Sequence, residues 1–323
     1  MVRSQFRLGP QDAVMFMVTL FWGLTFFFTK LGLRSLDPLP FAVLRTGSAV
    51  VLLNGLAAFQ AWRGGASRLA WPDHLFAVVA GLLGMACFPF CFSLAMGWTS
   101  SANGGLIFGT TPVVVGLISL LLGLERFSLE SWLGLLLSVT GILLLVGPKD
   151  LSFGGGSALG DLVMVGAMLV WALYTVLNRF ASGRVSTLQL TAYASLWGFT
   201  GLTVLSLPQL LQTDWGQVQG ISWLGGLLAG ILGTGLSYVL WNLNVKRVGP
   251  ARTAVFLNFV PVVALLSGYA LLDEPARWLH LPASLAVLAG VFLTKAGNRT
   301  KRSPAGGPAE PKAPAGPESP GEA

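Results

Sequence analysis

Arg45 interrupts the apolar run P-F-A-V-L-R-T-G-S-A-V-V-L-L, and Lys30 closes another, F-W-G-L-T-F-F-F-T-K. A cation set among apolar residues can hold a carboxylate. It can also snorkel to a polar boundary. Other apolar runs carry ring, amide and hydroxyl groups: Trp22, Thr111, Trp171, Tyr174, Asn178, Tyr193, Tyr238, Trp241 and Asn258. Such groups suit a cavity that packs an apolar moiety and hydrogen-bonds its polar end. Each of them singly also serves as a packing or boundary residue. With Lys30 and Arg45 they form the candidate substrate-binding set. Pro112 and Pro261 are candidate hinges, because an interior proline removes a donor and clashes with the carbonyl four residues back. Trp197 and Asn242 share the chemistry of the set.

Groups for bond-making chemistry are sparse. His74 and His280 are the only histidines, both near span ends, and no Asp/Glu–His cluster or metal-ligand spacing appears. Cys87 and Cys91 are one helical turn apart in an apolar segment and read as packing residues. No enzyme activity, metal or cofactor is expected.

The elements that must position these residues are helices in lipid. The chain is 54% hydrophobic and 10% charged, with a mean hydropathy of +0.71. Soluble domains carry roughly 25% charged residues. A charge content this low cannot cover a globule in water, so lipid is the solvent. The net charge of +7 is explained below by its placement and does not call for nucleic acid. The first apolar run is too long for a cleaved leader and lacks a clear cleavage motif.

Ten apolar runs lack period-two alternation and read as spanning helices: about 13–33, 40–62, 74–96, 101–123, 129–147, 160–180, 187–210, 222–244, 251–272 and 278–297. Turn and boundary residues separate them, among them Asp37-Pro38-Leu39-Pro40, Gly64-Gly65 and Gly249-Pro250. One offset of 149 residues relates the two halves without a gap. It carries Asp12 to Asp161, Trp22 to Trp171, Lys30 to Arg179, Gly84 to Gly233, Pro112 to Pro261, Glu125 to Glu274 and Gly141 to Gly290. The chain is one unit written twice. Five helices per unit is an odd number, so the second copy starts where the first ended and is inverted. The expected fold is an all-α integral membrane protein of ten transmembrane helices as two inverted five-helix repeats. The repeats are 1–148 and 149–297, and 298–323 is a disordered cytoplasmic tail rich in Pro, Gly and charge.

Basic residues orient it. With the N-terminus inside, 15 Lys and Arg fall on the cytoplasmic side and 4 (Lys30, Arg34, Lys149, Arg277) on the far side, with Arg45 unassigned. Both termini are therefore expected in the cytoplasm of a multi-pass protein of the inner or plasma membrane. Gly81, Gly84, Gly226, Gly230 and Gly233 read as close helix-contact surfaces. Glu125 and Glu274 each close a span and read as caps for the next helix.

Several segments together resemble a known family: W-G-L-T-F-F-F-T-K-L-G-L, L-R-T-G, and T-P-V-V followed by L-G-L-E-R-F and G-L-L-L-S-V-T-G-I, echoed later by V-P-V-V, L-D-E-P and A-V-L-A-G-V. They resemble the EamA-type branch of the drug/metabolite transporter superfamily. The resemblance covers nearly the whole chain except the tail. It implies two inverted repeats, a central cavity walled by spans 1–4 and 6–9 with spans 5 and 10 outside, and carriage of small metabolites, often export of amino acids or related compounds. Arg45 matches the family's arginine in span 2.

Between Asp12 and Asp273 no Asp or Glu lies at mid-membrane depth. An organic-cation carrier is expected to use one as counter-ion, so cation export is disfavoured. The commonest proton-coupling group is missing there too, which makes facilitated diffusion an open route. Nucleotide-sugar or sugar-phosphate carriage would need several cavity cations. The expectation is a secondary carrier or facilitator for a neutral or anionic small molecule, working by alternating access. Its partners are that solute and the lipid bilayer, with no nucleic acid, and a monomer is compatible with the sequence. A membrane-embedded scaffold or sensor is the competing class.

Overall fold

The computed structural model describes residues 10–65, 69–98, 107, 109–124, 128–146, 157–181, 183, 185–272 and 280–300. The helices, in chain order, are α1 (Pro10–Gly32), α2 (Pro38–Gln60), α3 (71–98), α4 (Thr111–Leu121), α5 (Leu129–Val146), α6 (Ser157–Leu177), α7 (Thr187–Gln212), α8 (Gly220–Val248), α9 (250–272) and α10 (His280–Thr300). The protein is an all-α membrane protein. Among the described residues six segments are long and apolar enough to cross a bilayer: Pro10–Gly32, Pro38–Gly65, Trp71–Ala95, Leu159–Phe180, Thr187–Gln212 and Gly220–Val248. Shorter apolar helices run over Thr111–Leu121, Leu129–Gly141 and Leu285–Thr294. α10 continues to Thr300, three residues into the segment that the sequence assigns to the tail.

Local chemistry sets the ends. Ser186 caps α7, its hydroxyl accepting the Gln189 N–H at 3.1 Å. The Asp73 carboxylate accepts the Ala70 N–H at 3.1 Å. Pro38 and Pro250 open their helices, where no N–H is needed. Gly249, at φ 103°, makes the turn between α8 and α9. Lys246 and Arg247 sit in the last turn of α8, where the helix dipole favours cations.

The packing repeats as the sequence does. α1 packs on α8 and α9, and its counterpart α6 packs on α3 and α4. The counterparts α2 and α7 pack on each other, as do α5 and α10. Ser131 meets Thr294, and the Ser138 hydroxyl donates to the Val287 carbonyl at 3.3 Å. Contacts that climb one helix while descending the other make α5 and α10 antiparallel. Positions 138 and 287 are counterparts, so this contact lies on the axis relating the halves.

Glycines allow the closest approaches. A Cβ on Gly81 would run into the Ala194 carbonyl, and one on Gly230 into the Arg45 carbonyl. A Cβ on Gly84 would meet the Tyr174 ring, and one on Gly233 the Thr25 side chain. Both pairs of contacts are related by the 149-residue offset. The structure thus carries the duplication down to single backbone contacts.

Two departures from regular helix also repeat. α3 widens to a π-turn over Leu82–Cys87, and α8 does so over Ala229–Leu236. Each contains the paired glycine. The proline sites both lie beside irregular turns. Pro112 lies in the first turn of Thr111–Leu121, after a turn in which the Thr110 N–H donates to the Ile107 carbonyl at 3.1 Å. α9 runs on in helical backbone through Pro250–Ala254, a 3₁₀ turn over Val255–Asn258, and Phe259–Leu272, whose third residue is Pro261. The 3₁₀ turn includes Leu257, the residue four before Pro261, whose carbonyl the proline cannot pair with.

Candidate functional site

The candidate rings gather between the two halves. Trp22 of α1 lies 5.5 Å from Trp171 of α6 and 5.0 Å from Trp241 of α8, centroid to centroid. Trp171 is 5.3 Å from Tyr174 and 5.4 Å from Tyr238. Tyr174 and Tyr238 are 5.8 Å apart. Trp171, Tyr174, Tyr238 and Trp241 are buried, and Trp22 is half-buried. Phe88 of α3, absent from the candidate set, completes the cluster 4.9 Å from Trp171. Each favourable ring pair adds about 0.5–1.5 kcal/mol beyond burial.

The two π-turns anchor this cluster. A π-turn spoils the regular ladder and leaves carbonyls for other donors. The Trp22 indole N–H donates to the Gly233 carbonyl at 2.7 Å, and the Tyr238 hydroxyl donates to the Gly84 carbonyl at 3.0 Å. The donors are not counterparts. By the offset, Trp171 should serve Gly84 as Trp22 serves Gly233, and Tyr238 corresponds to Pro89. The buried indole N–H groups of Trp171 and Trp241 have no partner among the described residues.

A polar network adjoins the rings. The Asn242 amide donates to the Tyr174 hydroxyl at 2.8 Å and to the Thr191 hydroxyl at 3.2 Å. The Asn178 amide donates to the Tyr174 carbonyl at 2.7 Å. These groups line a small pocket with Phe76, Leu190 and Lys246. Its free volume is about 10 Å³, enough for one water molecule. The Arg179 guanidinium donates to the Lys246 carbonyl at 2.6 Å, which places a second cation at that mouth.

The opposite end is sealed. The Ser35 hydroxyl donates to that of Ser222 at 2.9 Å and accepts the Gln219 N–H at 3.0 Å. Ser222 in turn donates to the Leu31 carbonyl at 3.0 Å. A Cβ on Gly225 would strike the Phe28 carbonyl of α1, and one on Gly32 the Phe41 ring. The counterparts of Gly225, Gly32 and Phe41 are Phe76, Ala181 and Leu190. All three line the pocket at the Lys246 end. Equivalent positions are therefore in close contact at one end and border a water-sized pocket at the other.

The remaining candidates scatter. Arg45 is half-buried in α2, its Nε enclosed without a partner among the described residues, within electrostatic reach of Tyr238. Asn258 is fully buried at the break in α9, and neither end of its amide has a partner among the described residues. Thr111 is fully buried at the start of α4. Lys30 is exposed in the last turn of α1 at the sealed end. Tyr193 packs edge-on against His74, 5.7 Å away, apart from the cluster. Trp197 points outward at 47% exposure. Glu125 and Glu274 lie outside the described residues. Thr191 and Lys246 were not singled out by the sequence. A lone threonine in an apolar helix carries no signal, and a lysine in a last turn reads as a dipole partner.

Comparisons with known proteins agree with this architecture. The chain is similar to the uncharacterized transporter YetK of Bacillus subtilis, 25% identical over 76% of this chain and 74% of that one. It is similar to YyaM of the same organism, also an uncharacterized transporter, 26% identical over 85% and 90%. A solved crystal structure superposes with a TM-score of 0.74 at 20% identity, covering 90% of this chain and 99% of that one, which speaks for the fold. The EamA-like transporter family model matches twice, over residues 10–147 and 158–295, once on each half of the duplicated unit. On that double match the chain belongs to the EamA-like transporter family and is a membrane transporter.

Proposed function

We propose that this transporter moves a small neutral or anionic metabolite, an amino acid or related compound, out of the cell by alternating access. One observation carries the reading: symmetry-related positions are in close contact at the Ser35 end and border a water-sized pocket at the Lys246 end. Inverted repeats exchange such conformations when the path switches sides. The distribution of Lys and Arg supports a cytoplasmic Lys246 end, so this is the side from which an exported solute would load. Arg45 offers the fixed charge for an anionic group. The rings of Trp22, Trp171, Tyr238 and Trp241 offer the apolar bed, and Tyr174, Asn178 and Asn242 the hydrogen bonds. In the conformation described, the rings fill that bed themselves, so a solute enters by displacing them.

Counterflow into proteoliposomes preloaded with amino acids, nucleosides or sugars tests the function. Exchange of a neutral or anionic solute is the expected result. Exchange with none of them, from protein that is folded and inserted, would remove the proposal.

A further inference from the structure

A second space lies on the flank of the molecule, away from the rings. α2, α7 and α8 enclose a lateral groove of about 370 Å³. Its floor is Gly47 and Ser48, its walls include Leu44, Val51 and Phe199, and Trp215 and Trp223 stand at its head. The two indoles pack 5.8 Å apart. Trp215 belongs to the short polar turn that joins α7 to α8, and its N–H donates to the Leu210 carbonyl at 3.3 Å. Val51, 75% exposed, marks the open side near the middle of the span. The groove therefore runs from the boundary level, where tryptophans collect, down towards mid-bilayer.

The other half of the molecule carries larger side chains at the equivalent positions. The counterparts of Gly47 and Ser48 are Leu196 and Trp197. The counterparts of Leu44 and Trp223 are Tyr193 and His74, whose rings pack together. One copy carries bulky side chains at these positions; the other leaves an apolar groove. No polar side chain reaches its wall except the Ser48 hydroxyl, which is spent on the Arg45 carbonyl at 2.8 Å. Water finds too few partners there. The solvent at this depth is hydrocarbon.

We propose that this groove binds one acyl chain of a membrane glycerophospholipid, held beneath the Trp215–Trp223 pair with its headgroup level with the α7–α8 turn. The volume falls within the range of small-ligand sites, and a flexible chain entering from the bilayer fits a groove open along its side. This site is independent of the transported solute and of the direction of transport.

The test uses the full chain in detergent, titrated with a phosphatidylglycerol brominated on its acyl chains, which quenches tryptophan on contact. The expected result is a saturable loss of emission, complete near one lipid per protein and confined to no more than two of the eleven tryptophans. Unbrominated lipid should reverse it. The step should vanish in the Trp215→Phe/Trp223→Phe double variant. It should also vanish in Gly47→Leu, which fills the floor beside Phe199 without adding an indole. Quenching that rises in proportion to lipid without a plateau, or a plateau unchanged in both variants, would overturn the proposal. So would a plateau that unbrominated lipid cannot reverse.

Discussion

The Asn242 amide is held by two hydroxyls from two other helices, Tyr174 on α6 and Thr191 on α7. Removing one partner leaves the rest of the network buried and short of a bond. Tyr174→Phe should therefore destabilise the protein by about 1–3 kcal/mol, read as a lower thermal midpoint in detergent, while Thr191→Val should cost less because Asn242 keeps its shorter bond. Arg45 makes a different prediction. It holds its backbone against Gly230 whatever its side chain, so Arg45→Gln should leave the fold and thermal midpoint intact. Affinity for an anionic solute found by counterflow should fall about ten- to a hundredfold. An equal fall for uncharged solutes would mean that the guanidinium does not hold the charge. The sequence pointed to Arg45, Tyr174 and Asn242 because each is a polar group in an apolar run. It could not show that Tyr174, Thr191 and Asn242 form one network, since three helices must first pack to bring them together.

Helix contact decides the next set of outcomes. Gly230 and Gly81 face backbone carbonyls that cannot give way. Gly230→Leu should lose about 1–3 kcal/mol through overpacking. Gly55→Ala, where a Cβ meets nothing within 4 Å, should be close to neutral. Comparing their thermal midpoints with that of the unaltered chain checks both. The ten spans were legible because each is an apolar run ended by Gly, Pro or charge. The π-turns in α3 and α8 were not, because hydropathy has no mark for one extra residue in a turn. The paired Gly84 and Gly233 were the only hint. Pro112 and Pro261 mark irregular turns, and the sequence showed where but not in what form. A sequence shows where a donor is missing, not which side of it the helix resumes.

At the scale of the whole molecule, the 149-residue offset predicted more than the helix count. It relates the contacts Thr25–Gly233 and Gly84–Tyr174, and under the proposed alternating access it names the positions that would close when the path switches sides. Joining Ser35→Cys to Ser222→Cys with an oxidant should lock the seal and stop counterflow, with recovery on reduction. Undiminished exchange by fully cross-linked protein would show that this end need not part. The unlike state of the two ends was not legible, since a repeat in sequence says only that the halves are equivalent, not that they adopt equivalent conformations.

The unmatched donors on the two π-turns carry a last consequence. Trp22 and Tyr238 both bond in the arrangement described, whereas a mirror arrangement would find Trp171 at Gly84 and only Pro89 where a hydroxyl is needed. One hydrogen bond is worth roughly 1 kcal/mol, which tips a two-state balance about fivefold. An empty carrier of this sequence should rest asymmetrically, with its idle population weighted towards the Lys246-side mouth before any solute arrives.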